Sequence, residues 1–194
     1  MNVIGIDEVG RGALAGPVAV AAVFLPHNVR LKNKSLGPLK DSKKLSPKQR
    51  EAWFEYFKTI PGLTYAIARV YPRQIEKRNI SACANLAAHR AFMRLTKGRG
   101  RQTVFLDGGL YLKNKNLSMT LRAKTIVRGD EKIPAIAAAS IIAKVSRDRF
   151  MRKLGRKYPG YGFEIHKGYG TKVHLAAIRR LGSSKVHRKT FLVS

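Results

Sequence analysis

Acidic residues are scarce in this chain. Only 11 Asp and Glu stand against 39 Lys and Arg in 194 residues, a formal net charge of +28 and a sequence pI near 11.0. So large an excess repels itself and opposes compaction. A basic surface without a specific ligand is therefore the weaker reading, and a polyanionic partner or an anionic surface the stronger. Cysteine is nearly absent. The lone Cys83 excludes an internal disulfide and offers no zinc site by itself. It lies in an Ala-rich, helix-like stretch and reads as a small core residue. Such sparing use of cysteine fits the reducing cytoplasm. Long apolar runs are missing too: none approaches the ~18 residues of a spanning helix. The first residues also lack the charged and apolar regions of a secretory signal. No membrane role and no export are expected. What remains is an ordinary 44% apolar fraction, without repeats, low-complexity linkers or an internal boundary. A single domain over residues 1–194 is predicted, large enough for a proper core.

The pattern along the chain alternates strands and helices. Strands are predicted over Asn2–Ile6, Val18–Leu25, Leu63–Val70, Thr103–Leu106 and residues 120–127. Ser46 and Pro47 open a helix whose apolar face carries Trp53, Phe54 and Phe57. Further helices are predicted from Ser81 to Thr96, from Pro134 to about Leu154, and from Thr171 to Gly182. Residues 27–45 read as a basic loop, and residues 155–170 as a loop rich in Gly, Tyr and Pro. Hairpin-like strands followed by interleaved helices and strands indicate an α/β domain with a mixed sheet.

With so few acids, their positions are informative. Asp7 and Glu8 follow the first strand, Asp107 ends another, and Asp130 precedes the long helix. Ligand sites of open α/β sheets gather at such edges. Four carboxylates together would repel one another unless a cation sat between them. Hard divalent cations take oxygen ligands of this kind, and paired metals on carboxylates are a device for phosphodiester cleavage. Each acid also has a blander use: Asp107-Gly108 is a common turn dipeptide, and Asp130 could cap a helix. Adjacent acids beside a buried strand are harder to dismiss, because burial without a partner is costly. Gly10-Arg11-Gly12 comes next, allowing close backbone approach to a sugar or phosphate while supplying a cation. A dinucleotide-binding loop is excluded, since Pro17 and an apolar strand follow where that loop would open a helix. His166, His174 and His187 lie in basic stretches and are expected at the surface or on phosphates rather than on zinc. Ser140 is expected to be buried, with no base to make it a nucleophile.

Asp7-Glu8-Val9-Gly10-Arg11-Gly12, then Gly16-Pro17-Val18, resembles the signature of the ribonuclease HII family. The resemblance runs along most of the chain. It includes Asp41-Ser42-Lys43-Lys44-Leu45-Ser46, Asn79-Ile80, Asp107-Gly108, Gly129-Asp130 and the helix from Ile136 to Asp148. Tyr161-Gly162-Phe163, His166 to Thr171 and the bacterial-type tail His187-Arg188-Lys189-Thr190-Phe191 extend it. Gly109 stands where the family more often has Asn, Arg128 replaces a common Lys, and the segment from Leu110 to Thr125 is longer than usual.

That resemblance implies a ribonuclease H-like fold, a mixed central sheet flanked by helices with extra C-terminal helices. It implies an endonuclease that cleaves the RNA strand of RNA–DNA hybrids and nicks duplex DNA at embedded ribonucleotides, leaving 5′-phosphate and 3′-hydroxyl ends. Asp7, Glu8, Asp107 and Asp130 would be the catalytic acids and the ligands of Mg2+ or Mn2+. Gly10, Arg11 and Gly12 would contact the ribose 2′-hydroxyl and its phosphates, and Tyr169 would stack on the neighbouring deoxyribose. Lys43, Lys44 and Lys167 would contact phosphate. A monomer is expected, and no replication-clamp motif is evident. The rival class is a non-catalytic basic RNA- or DNA-binding protein, which would have no use for four spaced carboxylates. Ribonuclease HIII shares the acids but normally lacks this Gly-Arg-Gly and carries an extra N-terminal domain.

Overall fold

The computed structural model describes residues 2–96, 102–112 and 122–192. Strands β1 (Val3–Val9) and β2 (Val18–Leu25) pair antiparallel, from Val3↔Leu25 to Val9↔Ala19. Every residue of β2 is buried, as an unbroken apolar run requires of a strand covered on both faces. Ser46 and Gln49 form a capping box at the start of helix α1 (Pro47–Thr59). Strand β3 (Thr64–Val70) pairs antiparallel with β2. Helices α2 (Pro72–Arg78) and α3 (Ile80–Thr96) follow. Strands β4 (Thr103–Asp107) and β5 (Arg122–Ile126) extend the sheet in parallel beyond β1. The remaining helices are α4 (Gly129–Lys132), α5 (Pro134–Lys157), α6 (Phe163–His166) and α7 (Lys172–Leu181). Strand order is β3-β2-β1-β4-β5, a mixed sheet as the sequence pattern implies.

The sheet carries helices on both faces. On one, Ile4, Ile6, Val18 and Val20 meet the alanines of α3, and Cys83 is buried among them. On the other, Ala21 and Val23 meet Trp53 and Phe57 of α1 and Ala138, Ile141 and Ile142 of α5. The contact between α5 and β1 is unusually close: a Cβ on Gly5 would fall 2.1 Å from the carbonyl carbon of Ala135. Only glycine lets the first turn of α5 rest on the strand. Ser140, one and a half turns further along, is thereby held against Asp7, two residues beyond Gly5 on the same face.

Several boundaries differ from the sequence expectation. β1 runs to Val9 instead of ending at Ile6, because pairing with Ala21, Val20 and Ala19 continues past it. Asp7 and Glu8 thus lie within the strand. Pro72, two residues beyond the end of β3, opens α2, a helix the sequence pattern did not indicate. The short helix α6 occupies part of the stretch expected to be a loop, α5 continues into it as far as Lys157, and α4 is a further short helix between β5 and α5. Residues 120 and 121 of the expected fifth strand lie outside the described residues.

Candidate active site

Parallel pairing of β1 with β4 brings two acids to one sheet edge. The register reaches Ile6↔Leu106, so Asp7 and Asp107, the next residues along, stand one strand spacing apart, roughly 4.8 Å between backbones. Asp7 is buried, with 4% of its surface exposed. Its Oδ1 accepts the Glu8 N–H at 2.7 Å, and the Ser140 hydroxyl bonds to the same carboxylate. Ser140 is itself braced by the Ser42 hydroxyl, 2.8 Å away. Asp107 accepts the backbone N–H of Gly129 at 2.7 Å, which ties β4 to the first turn of α4, where Asp130 sits. Arg11 spans the edge. Its Nε lies 3.3 Å from Glu8 Oε1, and its Nη2 donates to the Gly109 carbonyl at 2.9 Å.

The electrostatics of these acids are adverse. Burial raises the Asp7 pKa well above the ordinary carboxylate value, and the charges of Glu8 and Asp107 raise it further. Burial also lifts Glu8 to about 7, against the pull of Arg11 and with the push of Asp107. Asp130 is raised to about 6 by burial, then by Asp41 and Asp107. Burial works against the charge on Lys43, but Asp41, Asp130, Asp7 and Asp107 outweigh it and hold that ammonium above its usual pKa. Oxygen Oε2 of Glu8 is buried without a hydrogen-bond partner. Among the described residues, no three acid, His or Cys side chains stand in a metal-holding arrangement, so the carboxylates would have to turn inward to share an ion. The donor set nevertheless suits one. It is all carboxylate oxygen, mutually repelling, with one buried oxygen unpartnered, which is the chemistry a hard divalent cation takes.

These groups floor a cleft of about 420 Å3 lined by Asp7, Glu8, Asp107, Gly10, Arg11, Gly12, Ser42, Lys43, Ser140, Lys144 and Tyr169. Lys144 and Arg147 stand over the Tyr169 ring, 5.8 and 5.4 Å from its centroid. Two lysines expected on phosphate point elsewhere. Lys44 pairs with Glu131 at 2.7 Å, and the Lys167 ammonium donates to the carbonyls of Glu164 and Ile165. Asp130 is not on the cleft wall itself. It adjoins a second hollow of about 450 Å3 between residues 31–39 and 130–137.

Sequence reasoning missed some of the machinery. Asp41 is a further buried acid, hydrogen-bonded to Asp130 and accepting the Lys43 N–H at 2.9 Å. In a chain with 11 acids, its place within the basic loop was a usable signal. Arg147 and Arg188, both fully buried, were not readable, since arginine is ordinarily a surface residue. The histidine expectation is corrected. His166, His174 and His187 are buried together: the first two rings stack at 4.2 Å, and Nε2 of His174 lies 3.1 Å from Nε2 of His187. Their nitrogens find partners on backbone, on Ser184 and on one another, so nothing drives them to the surface.

The family model for ribonuclease HII matches residues 4–193. A ribonuclease HII of Coxiella burnetii is 46% identical over 190 residues, covering 97% of this chain and 87% of that protein. One from Pelagibacter ubique is 44% identical over 187 residues, with 96% and 94% covered. The RNase HII in the PCNA complex of Archaeoglobus fulgidus superposes with a TM-score of 0.78 at 28% identity, covering 97% of this chain and 94% of that one. The match extends through both the acid-bearing strands and the buried tail, and on that ground the chain belongs to the ribonuclease HII family.

Proposed function

We propose that Asp7, Glu8, Asp107 and Asp130 are the carboxylates through which this ribonuclease HII holds Mg2+ or Mn2+, and that residues 1–194 act as one catalytic domain. The family activity is metal-dependent endonucleolytic cleavage of the RNA strand of RNA–DNA hybrids. We extend it to nicking of duplex DNA at an embedded ribonucleotide, with 5′-phosphate and 3′-hydroxyl products. One observation carries the assignment. Buried carboxylates oppose one another's ionisation at the floor of a cleft, in a protein whose net charge is +28.

Bound metal would supply an activated water and stabilise the leaving 3′-oxygen. The chain's own residues do the rest. Ser140 and the Glu8 N–H orient Asp7, and Gly129 orients Asp107. Arg11 holds Glu8 and offers its remaining donors to phosphate. Lys43 stays charged over the acids and faces the cleft. Gly10 and Gly12 let backbone reach the 2′-hydroxyl, the group that separates RNA from DNA. Tyr169, its ring backed by two cations, packs on the next sugar. A non-catalytic phosphate binder has no use for repelling acids in its binding cleft. We place the enzyme in the cytoplasm, acting as a monomer.

The test is a nicking assay on duplex DNA holding one ribonucleotide. Cleavage is expected in Mg2+ or Mn2+ and not in EDTA. Ca2+ should allow binding with little turnover, because its larger, looser shell misplaces the attacking water. Full activity in EDTA would eliminate the carboxylate–metal assignment.

A further inference from the structure

The C-terminal tail turns back onto the Gly-Arg-Gly loop. His187 bridges Ala15 in an antiparallel pair. Val186 accepts the Gly16 N–H at 2.9 Å, and the Arg188 N–H donates to Leu14 at 2.8 Å. The Arg188 guanidinium, 0% exposed, then donates to three loop carbonyls. Its Nη1 reaches Arg11 O at 2.7 Å, its Nη2 reaches Gly10 O at 2.7 Å and Gly16 O at 3.0 Å, and its Nε reaches Gly16 O at 3.1 Å. Arg147 takes the carbonyls of Ala15 and Pro17 at 3.1 and 2.9 Å. Neither guanidinium has an acidic partner among the described residues. Carbonyl oxygens and one aromatic ring each, Tyr169 for Arg147 and Phe191 for Arg188, face their charge, and burial depresses the pKa of both.

Peptide geometry gives this arrangement a direction. Among the described residues all peptide bonds are trans, and in a trans peptide the C=O and the following N–H point opposite ways. The carbonyls of Gly10 and Arg11 face Arg188, so the N–H groups of Arg11 and Gly12 face away from it. Neither N–H donates to another group of the chain among the described residues, and both residues line the cleft. Fixed N–H donors backed by an unneutralised cation form an anion- and hydroxyl-binding surface.

We propose that Arg188 is a positioning residue for ribonucleotide recognition: it draws the carbonyls of Gly10, Arg11 and Gly16 inward and so aims the N–H groups of Arg11 and Gly12 at the substrate ribose and its 2′-hydroxyl. The tail thereby completes the reading loop from the opposite end of the chain. This inference rests on the ribose-reading role given to that loop above.

The test uses the full chain, in Ca2+ to suppress cleavage, with two duplexes identical except for one ribonucleotide. Wild type should bind the ribonucleotide duplex more tightly. Arg188→Lys keeps the charge but replaces the rigid planar fork, which makes four N–H···O contacts, with a compact ammonium on a flexible stem. It should lower that preference by about five-fold or more, while affinity for the all-DNA duplex, set by the surface cations, stays within about two-fold. Phe191→Ala removes the ring that lies 5.3 Å over the guanidinium from a half-buried position, and should produce a smaller loss of the same kind. If Arg188→Lys fails to fold, Phe191→Ala decides. A preference retained in the variant, or equal weakening on both duplexes, overturns the positioning role. Absence of any preference in wild type would instead overturn the ribose-reading role, and this inference with it.

Discussion

Gly10 and Gly12 should fail for different reasons when each is changed to alanine. Gly10 has φ +88, and its added Cβ would fall 2.2 Å from Nε of Arg147. The left-handed backbone costs an alanine about 1 kcal/mol, and forcing a methyl into a packed site about 1–3 kcal/mol more. Gly10→Ala should therefore lose about 2–4 kcal/mol. At ~2–4 °C per kcal/mol for a domain of this size, its melting temperature should fall by roughly 5–15 °C. Gly12 has no heavy atom within 4 Å of its would-be Cβ, and its φ lies outside the left-handed region. Gly12→Ala should melt within about 2 °C of wild type, or slightly higher through the stiffer unfolded chain. Its methyl nonetheless stands in the cleft, where a displacement of ~1 Å at the reacting sugar can lower the rate about 100-fold. Thermal melts and single-turnover nicking of a one-ribonucleotide duplex separate the two. A Gly12→Ala enzyme within about three-fold of the wild-type rate, a difference of only ~0.7 kcal/mol, would show that substrate does not approach Gly12 closely. An unchanged melting point for Gly10→Ala would refute the packing argument.

Asp7→Asn and Asp107→Asn should each abolish cleavage yet bind duplex as well as wild type or better, since each removes a repulsion of phosphate. Retention of more than about a tenth of the Mg2+-supported rate, ~1.4 kcal/mol, would contradict the assignment. Tyr169→Ala should slow nicking at a single ribonucleotide more than cleavage within a long hybrid; equal slowing would make Tyr169 a packing residue. Affinity for duplex should fall steeply with salt, with a log–log slope of about −5 if ~6 phosphates are neutralised, and a flat titration would remove the electrostatic argument. Burial lowers the His174 pKa to about 4, and the same cause lowers His166 and His187. The unfolded chain takes up these protons near 6.5, so the stability they contribute is present above pH 6.5 and lost as pH falls toward 4. The raised carboxylates of the cleft shift stability the other way, so ring NMR is the cleaner readout. The His174 imidazole signals should stay put from pH 8 to 5, and titration near 6.5 would sink the buried-cluster account.

The fold was legible where one residue type sufficed to specify it. Val18 to Leu25, an unbroken apolar run, read as a strand, and it is one, buried throughout. Ser46-Pro47 announced α1, the Ala-rich run announced α3 and Pro134 announced α5, and the structure packs the alanines of α3 and α5 against the sheet. The acids proposed as metal ligands were legible for an electrostatic reason: in a chain with 11 acids, each one left near a buried strand needs a use. What stayed hidden depends on contacts between distant segments. The reach of β1 past Asp7 is set by β2, so the end of the apolar run at Ile6 gave the wrong boundary. Lys44 and Lys167 look like phosphate contacts in sequence, but Glu131 and two α6 carbonyls take their charges. The buried arginines are the deepest case. Nothing local tells Arg147 and Arg188 from the many exposed cations around them. Their burial is possible only because glycines and a proline leave a loop whose carbonyls turn inward, 130 to 178 residues away in sequence. A strongly basic protein thus hides two of its cations behind the Gly-Arg-Gly loop that lines the cleft. Their positive potential acts on the cleft, and carbonyl oxygens rather than acids satisfy their hydrogen bonds. An acid in that place would have cancelled the field that draws a phosphodiester toward the carboxylates.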